Sequence, residues 1–281
     1  MAFCDWSSDV CSSDLPGSET FSIAVPGCNF RCQFCQNWEI SQKEEDSGSS
    51  LLEEEVMPDE VVEAAMRNNC RSISYTYTEP TIFFEYAYDI AKLSKQKGLR
   101  NIFVTNGYLT EASLSCISEY LDAANVDLKF FREDSYRKIC GASLSPVLDT
   151  IKRMRSFDIW VEITTLVIPG VNDSEEELGL ITDFISGVDK NIPWHVSAFH
   201  PDYKFKDYPV TSQETLKNAR QIGKKAGLNF VYAGNVYGWG GETVCPSCGK
   251  ELIRRDGFKI KEYNISDNRC GICHSIIPGV Y

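Results

Sequence analysis

Between residues 20 and 234, short apolar segments alternate with longer amphipathic ones about seven times. The short segments are rich in β-branched and aromatic side chains, which predicts strands, and the longer ones have helical spacing. Each strand is apolar enough to be covered on both faces, which is typical of a parallel sheet flanked by helices. No glycine-rich dinucleotide fingerprint follows the first strand. The sequence therefore predicts an α/β fold, a partial (β/α) barrel rather than a doubly wound sheet.

Turn and capping residues set the limits of these segments. Pro58 stands at a helix start, Gly98 at a helix end, and Ser174 begins a capping box. The strands are predicted at 20–25, 72–77, 101–106, 123–130, 160–168, 194–199 and 229–234. The helices are predicted at 58–69, 81–98, 110–121, 145–157, after Ser174, and at 211–227.

After Gly238 the pattern changes, so we predict a barrel over 16–238 and a separate module over 239–281. The module has no helical periodicity and contains two Cys-x-x-Cys pairs. Four thiolates around one Zn²⁺ form a closed structural site, although iron is the alternative. We expect a small zinc-ribbon-like β module with a structural Zn²⁺, and its predicted ligands are Cys245, Cys248, Cys270 and Cys273.

The first fifteen residues do not resemble the rest of the chain. Residues 5–15 read as the translation of a widely used sequencing adapter, so we interpret 1–15 as an artefact that replaces the native N-terminus. The alternative is a disordered natural tail. In either case Cys4 and Cys11 are not counted as ligands.

Directly after the first strand, Cys28, Cys32 and Cys35 form a Cys-x-x-x-Cys-x-x-Cys motif. A zinc site would need a fourth ligand from elsewhere in the chain. An electron-transfer ferredoxin would close every position of its cluster. A [4Fe–4S] cluster held by three cysteines instead leaves one iron open to a small molecule.

Polar residues also follow the other predicted strands. In barrels of this kind, the chemistry lies at the carboxyl ends of the strands. The polar residues at these positions are Thr78, Glu79, Asn106, Asp127, Lys129, His200 and Asn235. Asp127 and Lys129 are also compatible with an ordinary ion pair.

The motif Cys28-x-x-x-Cys32-x-x-Cys35, with Phe34 before its last cysteine, resembles that of the radical S-adenosylmethionine (SAM) superfamily. The chain more narrowly resembles the radical SAM enzymes of the AmmeMemoRadiSam system, which are related to pyruvate formate-lyase activating enzymes. The segments that carry this second resemblance are YTYTEPTIFFEYAYDIA, VTNGY, VDLKFF, HVSAFHPDYK and the terminal CPSCGKELIRRDGF with CGICHSIIPGVY.

The resemblance implies a [4Fe–4S] cluster on the three cysteines, with SAM bound at the open iron and cleaved after one-electron reduction. Thr78 and Glu79 take the place of the segment that holds the SAM amino group, although this chain lacks that segment's two glycines. Asn106 resembles the next contact strand. Asp127 and Lys129 resemble residues near the SAM ribose and carboxylate, and His200 resembles a histidine that faces the site.

Three functions remain open at this point. The first is a SAM-cleaving enzyme that takes a hydrogen atom from a protein or small molecule, and the second is an activating enzyme for a glycyl-radical partner. The third is a non-catalytic iron–sulfur or zinc-ribbon adaptor. Predicted partners are a one-electron donor of the flavodoxin or ferredoxin type, and the family name suggests Memo-like and AMMECR1-like proteins.

Charge, apolar runs and cysteine content limit the partners and the location that the sequence predicts. Forty Asp and Glu against 28 Lys and Arg argue against a large nucleic-acid-binding surface. No apolar run is long enough to span a membrane. Twelve cysteines without a signal peptide predict a reducing, cytoplasmic location. The isolated Cys70, Cys116 and Cys140 are interpreted as buried small apolar side chains.

Overall fold

The structure is a computed structural model that describes residues 15–42, 56–257 and 259–279. The adapter-like residues before Leu15 lie outside this range, so their interpretation remains a prediction. Within the described residues, no helix has both the length and the apolar character needed to cross a bilayer.

Seven parallel strands form the main sheet, in the same order in space as in the chain. Each strand pairs with the next one along the chain, and β1 and β7 are the two edges. The α/β fold with a partial barrel is therefore confirmed. The strands are β1 Thr20–Ile23, β2 Ser72–Tyr75, β3 Arg100–Thr105, β4 Ala123–Asp127, β5 Trp160–Val167, β6 Trp194–Ala198 and β7 Val231–Gly234.

The helices that connect the strands lie where the apolar periodicity predicts them. Pro58 begins α2, and the Ser174 side chain accepts a hydrogen bond from the Glu177 N–H at the start of α7. The helices are α1 Trp38–Ser41, α2 Pro58–Arg67, α3 Phe84–Gln96, α4 Glu111–Ile117, α5 Glu133–Ser135, α6 Leu144–Ser156, α7 Glu175–Val188 and α8 Gln213–Lys225.

Two short segments are absent from the sequence-based prediction. One is α1, which directly follows the cysteine motif. The other is α5 together with the π-helical turn Tyr136–Cys140, which ends at Gly141 with φ +69°. Both are too short for periodicity to reveal, because they owe their conformation to tertiary contacts.

The two faces of the main sheet differ in chemistry. Ile73, Tyr75 and Phe103 are fully buried within the main apolar core. The alternate residues face the inside of the barrel and are largely polar, as shown by the bond from Thr164 Oγ1 to Asn125 Oδ1 at 2.7 Å. The barrel therefore has an apolar outer face and a polar interior.

The C-terminal module contains five short strands with its own small core. They are β8 Thr243–Val244, β9 Glu251–Asp256, β10 Lys259–Tyr263, β11 Ile265–Ser266 and β12 Arg269–Cys270, all paired antiparallel. Phe230 and Tyr232 belong to the same buried cluster as the module's own residues. On the other side, any side chain at Gly17 would collide with Ile260, whose Cδ1 would lie 2.7 Å from it. The module thus contacts chain segments at both edges of the open sheet.

Candidate active site

A cavity of about 310 Å³ lies at the carboxyl ends of the barrel strands. The cysteine motif and the ends of β2 to β7 all contribute to its wall, which means that the sheet curves around it. The residues that line it are Cys28, Phe30, Cys32, Phe34, Cys35, Gln36, Asn37, Ser41, Gln42, Thr76, Tyr77, Thr78, Glu79, Val104, Thr105, Asn106, Asp127, Lys129, Thr164, Leu166, Ser197 and Asn235.

The loop that carries the three cysteines is held by backbone hydrogen bonds on two sides. Gly27, with φ +112°, donates its N–H to the Ile40 carbonyl at 2.9 Å. The N–H groups of Arg31 and Gln33 donate to the carbonyls of Cys140 and Ile139 at 2.8 and 3.0 Å. The conformation of the loop is therefore fixed by contacts that do not involve the thiols.

The three thiols differ in electrostatic setting. Burial raises the pKa of Cys28 to about 11 and also raises the pKa of Cys35. A hydrogen bond from Cys140 lowers the pKa of Cys32, and the same bond together with burial raises the pKa of Cys140. Phe34 packs edge-to-face on Phe130 beneath the cavity, with ring centroids 5.9 Å apart.

The spacing of thiols separates the two cysteine groups of the chain. Among the described residues, only one group of three or more His, Cys, Asp or Glu side chains has ligand atoms that all lie within 4.8 Å of one another. This group consists of Cys245, Cys248, Cys270 and Cys273. The thiols of the cavity are spread more widely. Such a spread suits a cluster of several irons, which holds its thiolates farther apart than one ion does.

In the C-terminal module, the four thiols have the geometry of a tetrahedral metal site. Sγ–Sγ separations are 3.7 Å for Cys245 and Cys273 and 3.8 Å for Cys248 and Cys270. Zn–S bonds of about 2.3 Å in a tetrahedron place sulfurs about 3.8 Å apart. Burial alone would raise the pKa of Cys245, but hydrogen bonds from Ser275 and from backbone N–H groups lower it to about 6. The module can thus offer thiolates to a metal ion.

Glu79 is the most heavily hydrogen-bonded side chain in the wall, and it is 1% exposed. Its carboxylate accepts from Thr105 Oγ1 at 2.8 Å and from the Asn106 N–H at 2.7 Å. It also accepts from the N–H and the hydroxyl of Thr81 at 3.2 and 2.9 Å. Glu79 therefore joins the end of β3 to the turn that begins α3, while its neighbour Thr78 donates to the Val25 carbonyl at 2.7 Å.

Replacing Glu79 by glutamine is expected to change how stability depends on pH. Burial raises the pKa of Glu79 above its usual 4.5, an effect its hydrogen bonds only partly offset. The stability that its neutral form contributes is present below pH 4.5 and is lost as pH rises through the raised pKa. The free energy of unfolding of wild type should therefore fall relative to Glu79→Gln between pH 4.5 and 7.

Urea unfolding at several pH values measures this difference. Glu85→Gln is the matched control, because Glu85 is an exposed acid on the neighbouring helix α3. A constant difference between wild type and Glu79→Gln over the whole range would contradict the expectation.

Two further predicted residues meet the cysteine loop from the strand ends. Asn106 donates from Nδ2 to Asn29 Oδ1 at 2.7 Å, and the same atom lies 3.8 Å from Cys28 Sγ. Lys129 pairs with Asp127 at 2.8 Å, and its Nζ lies 5.8 Å from the centroid of the Phe34 ring. Burial alone would lower the pKa of Lys129, but Asp127 and the nearby thiols raise it. Lys129 therefore remains a cation beside the cavity.

One predicted site residue does not reach the cavity. His200 is exposed and is not part of the wall. Strand β6 ends at Ala198, and the buried Phe199 binds Thr211 through its N–H, so the chain has turned away before residue 200. The residue of β6 that does line the cavity is Ser197.

Several wall residues were missed because they lie inside predicted strands or helices rather than at their ends. Examples are Thr164 and Ser197. Thr164 lies opposite Asp127 in the register of β4 and β5, a pairing that only the folded sheet reveals. One isolated cysteine also needs correction, because Cys116 is exposed on α4 rather than buried. Cys70 and Cys140 are buried as predicted.

Comparisons with known proteins agree with this geometry. Residues 22–179 match the family model described as the radical SAM superfamily. An uncharacterized protein of Methanocaldococcus jannaschii is 44% identical over 262 residues, which is 92% of this chain and 77% of that protein. The pyruvate formate-lyase-activating enzyme of Clostridium pasteurianum is 23% identical over 75% of this chain and 92% of its own length.

Solved structures support the same fold. A radical SAM methyltransferase from Sphaerobacter thermophilus superposes with a TM-score of 0.61 at 16% identity, covering 84% of this chain and 71% of its own. A domain of a pyruvate-formate lyase-activating enzyme from Bacteroides vulgatus gives a TM-score of 0.53 at 20% identity, covering 58% of this chain and 99% of its own. At these identities the likeness concerns the fold alone.

Proposed function

The chain belongs to the radical SAM superfamily and is an enzyme of that type, and from this premise we propose that Cys28, Cys32 and Cys35 hold a [4Fe–4S] cluster at which SAM is cleaved. When bound and reduced by one electron, such a cluster cleaves SAM to methionine and a 5′-deoxyadenosyl radical, which takes a hydrogen atom from the substrate. The substrate is a protein or a small molecule.

One observation carries this proposal: the cavity wall contains three cysteines, and within the described residues it contains no fourth. Three thiolates would leave one iron of a four-iron cluster without a protein ligand, and the cavity beside these cysteines is lined with polar groups that could hold a ligand there. A non-catalytic adaptor would gain nothing from such an opening, since a cluster that only supports a fold or carries electrons is closed by the protein.

The remaining wall residues have chemistry suited to SAM. Lys129 is a cation that can bind the carboxylate of the ligand, and the Asp127 carboxylate can accept from ribose hydroxyls. Thr78 and Asn106 border the same space. Glu79 has its oxygens engaged by Thr81, Thr105 and Asn106, so we assign it the role of holding these residues in place. Phe34 supports Lys129 from below.

The direct test is anaerobic reconstitution with iron and sulfide. We expect the purified chain to bind one [4Fe–4S] cluster in the barrel and, with SAM and dithionite, to release 5′-deoxyadenosine that chromatography detects. Omitting dithionite is the control, because the reaction needs one electron from outside. A fully loaded cluster without any 5′-deoxyadenosine would refute the enzymatic proposal.

A second, narrower proposal is that this enzyme activates a glycyl-radical partner. It rests on the relatives that are named as pyruvate formate-lyase-activating enzymes. Memo-like and AMMECR1-like proteins are further candidates, from the resemblance alone. Deuterium moves from a labelled substrate into 5′-deoxyadenosine only when the correct partner is present, so mass spectrometry of that product separates these candidates from small molecules.

The electron donor, the second metal site and the location that we propose follow from the same chemistry. The reaction needs a one-electron donor of the flavodoxin or ferredoxin type. The thiolates of the C-terminal module, Cys245, Cys248, Cys270 and Cys273, are proposed to bind one structural Zn²⁺. Both sites require reduced cysteines, which suits the cytoplasm.

A further inference from the structure

We propose that Ser41 and Cys140 are positioning residues that donate hydrogen bonds to the sulfurs of Cys35 and Cys32 and thereby raise the reduction potential of the cluster. This inference rests on the proposed function, because it presupposes a cluster on these cysteines. It assigns a role to two side chains that the resemblance and the motif leave without one.

The contact of Ser41 with Cys35 is short and oriented. Ser41 Oγ lies 3.0 Å from Cys35 Sγ, and the serine is 3% exposed. Gln42 Nε2 donates to the same hydroxyl oxygen at 3.2 Å. The Gln42 bond occupies a lone pair of that oxygen, which leaves the hydroxyl proton for the sulfur. A thiolate bound to iron has no proton, so Ser41 must be the donor.

Cys140 is held against Cys32 by the backbone. The carbonyls of Ile139 and Cys140 accept from the N–H groups of Gln33 and Arg31, the two neighbours of Cys32. The Gln33 side chain adds a bond to the Lys138 carbonyl at 2.7 Å. This register brings Cys140, which is fully buried, next to the segment that carries Cys32.

Cys140 is not placed to be the missing fourth ligand. It does not belong to the cavity wall in the part of the chain that the structure describes. It belongs to the π-helical turn Tyr136–Cys140, whose carbonyls bond to the backbone of the cysteine loop. Its thiol could therefore donate to the Cys32 sulfur without taking the coordination position that the three cysteines would leave free.

Hydrogen bonds to cluster sulfurs are a main determinant of cluster potential. A donor withdraws electron density from the thiolate, which favours the reduced cluster because that form carries more negative charge. Cys28 has its own donors, the Phe30 N–H at 3.4 Å and Asn106 Nδ2 at 3.8 Å. Each of the three sulfurs thus has a donor, and these donors make one-electron reduction easier.

The test is an EPR-monitored redox titration of the reconstituted cluster in the full chain. Ser41→Ala and Cys140→Ala should each shift the midpoint potential to a more negative value than wild type. Cys140→Ser should restore it to the wild-type value or above, because a hydroxyl is a stronger donor than a thiol. In D₂O, pulsed EPR should show fewer exchangeable deuterons coupled to the cluster in the two alanine variants.

Matched controls are Ser156→Ala and Cys116→Ala, which remove the same groups from exposed positions away from the cavity. Potentials of Ser41→Ala and Cys140→Ala equal to those of the controls would overturn the proposal. A Cys140→Ala protein that cannot hold a cluster would also overturn it, because Cys140 would then be a ligand. A chain that loads a cluster but does not cleave SAM would refute the proposed function and still allow the potentials to be measured.

Discussion

Replacing Cys32 by alanine is expected to abolish both cluster binding and 5′-deoxyadenosine formation. Cys32 is the most buried of the three cavity thiols, and its pKa is lowered, so it loses its proton more readily than Cys28 or Cys35. A cluster left with two ligands on one short loop loses its attachment. The loss of activity should exceed the roughly 10- to 100-fold decrease that follows removal of an outer-shell partner of a metal site.

The fold should survive this change. The backbone hydrogen bonds that hold the loop come from the N–H groups of Arg31 and Gln33, and the Cys32 thiol takes no part in them. Iron content, the absorbance of the cluster and chromatography of the products measure the effect, and thermal unfolding reports on the fold. Cys116→Ala is the control. If Cys32→Ala kept a full cluster and wild-type turnover, the assignment of the ligands would be wrong.

The strands and helices of the barrel could be predicted because their signals are local. Apolar alternation and residues such as Pro58 and Ser174 act within a few positions of one another, and the structure places α2 and α7 where they indicate. The site could be predicted in outline for a related reason. Parallel strands bring their carboxyl ends together, so polar residues after each strand converge once the fold class is known.

What the sequence did not reveal depends on contacts between distant segments. Cys140 follows Cys32 by more than a hundred residues, and only the docking of a π-helical turn onto the loop brings the two together. A cysteine outside any motif is predicted to be an apolar core residue, and Cys140 is buried in the core as such a residue would be. The prediction for His200 depended on its position just after a strand, but that position does not determine in which direction the chain turns beyond the strand.

Replacing Cys248 by alanine is expected to release the metal of the C-terminal module and to unfold that module, while the barrel cluster stays in place. The apolar cluster of the module is small, and two of its members, Phe230 and Tyr232, come from the barrel. Segments of about 40 residues rarely fold without a metal or disulfides. Structural Zn²⁺ supplies roughly 10–16 kcal/mol in comparable small domains, far more than a core of this size.

Loss of the module should also weaken the barrel at its edge. The Ala233 N–H of β7 donates to the Gly240 carbonyl at 2.9 Å, and Tyr232 Oη lies 3.1 Å from Thr243 Oγ1. We therefore expect the barrel of the variant to unfold at a lower temperature than in wild type in calorimetry. Elemental analysis should find one metal ion fewer per chain, with unchanged iron and sulfide in the barrel. Ser247→Ala, an exposed change in the same turn, should bind metal like wild type.

The pH dependence of metal uptake gives an independent check on this site. Metal binding requires thiolates, and hydrogen bonds lower the pKa of Cys245 to about 6, whereas burial and the neighbouring thiols raise the pKa of Cys248 to about 12. Metal uptake must therefore displace protons from thiols, so stripped wild-type protein should recover its metal less completely as pH falls from 7, and most poorly below pH 6, where Cys245 is protonated as well. Cys248→Ala should recover little at either pH, because three thiolates leave the tetrahedron open. Equal recovery by the two proteins at pH 7 would mean that Cys248 is not a ligand, and the stability of the module would then have to come from its packing on β7.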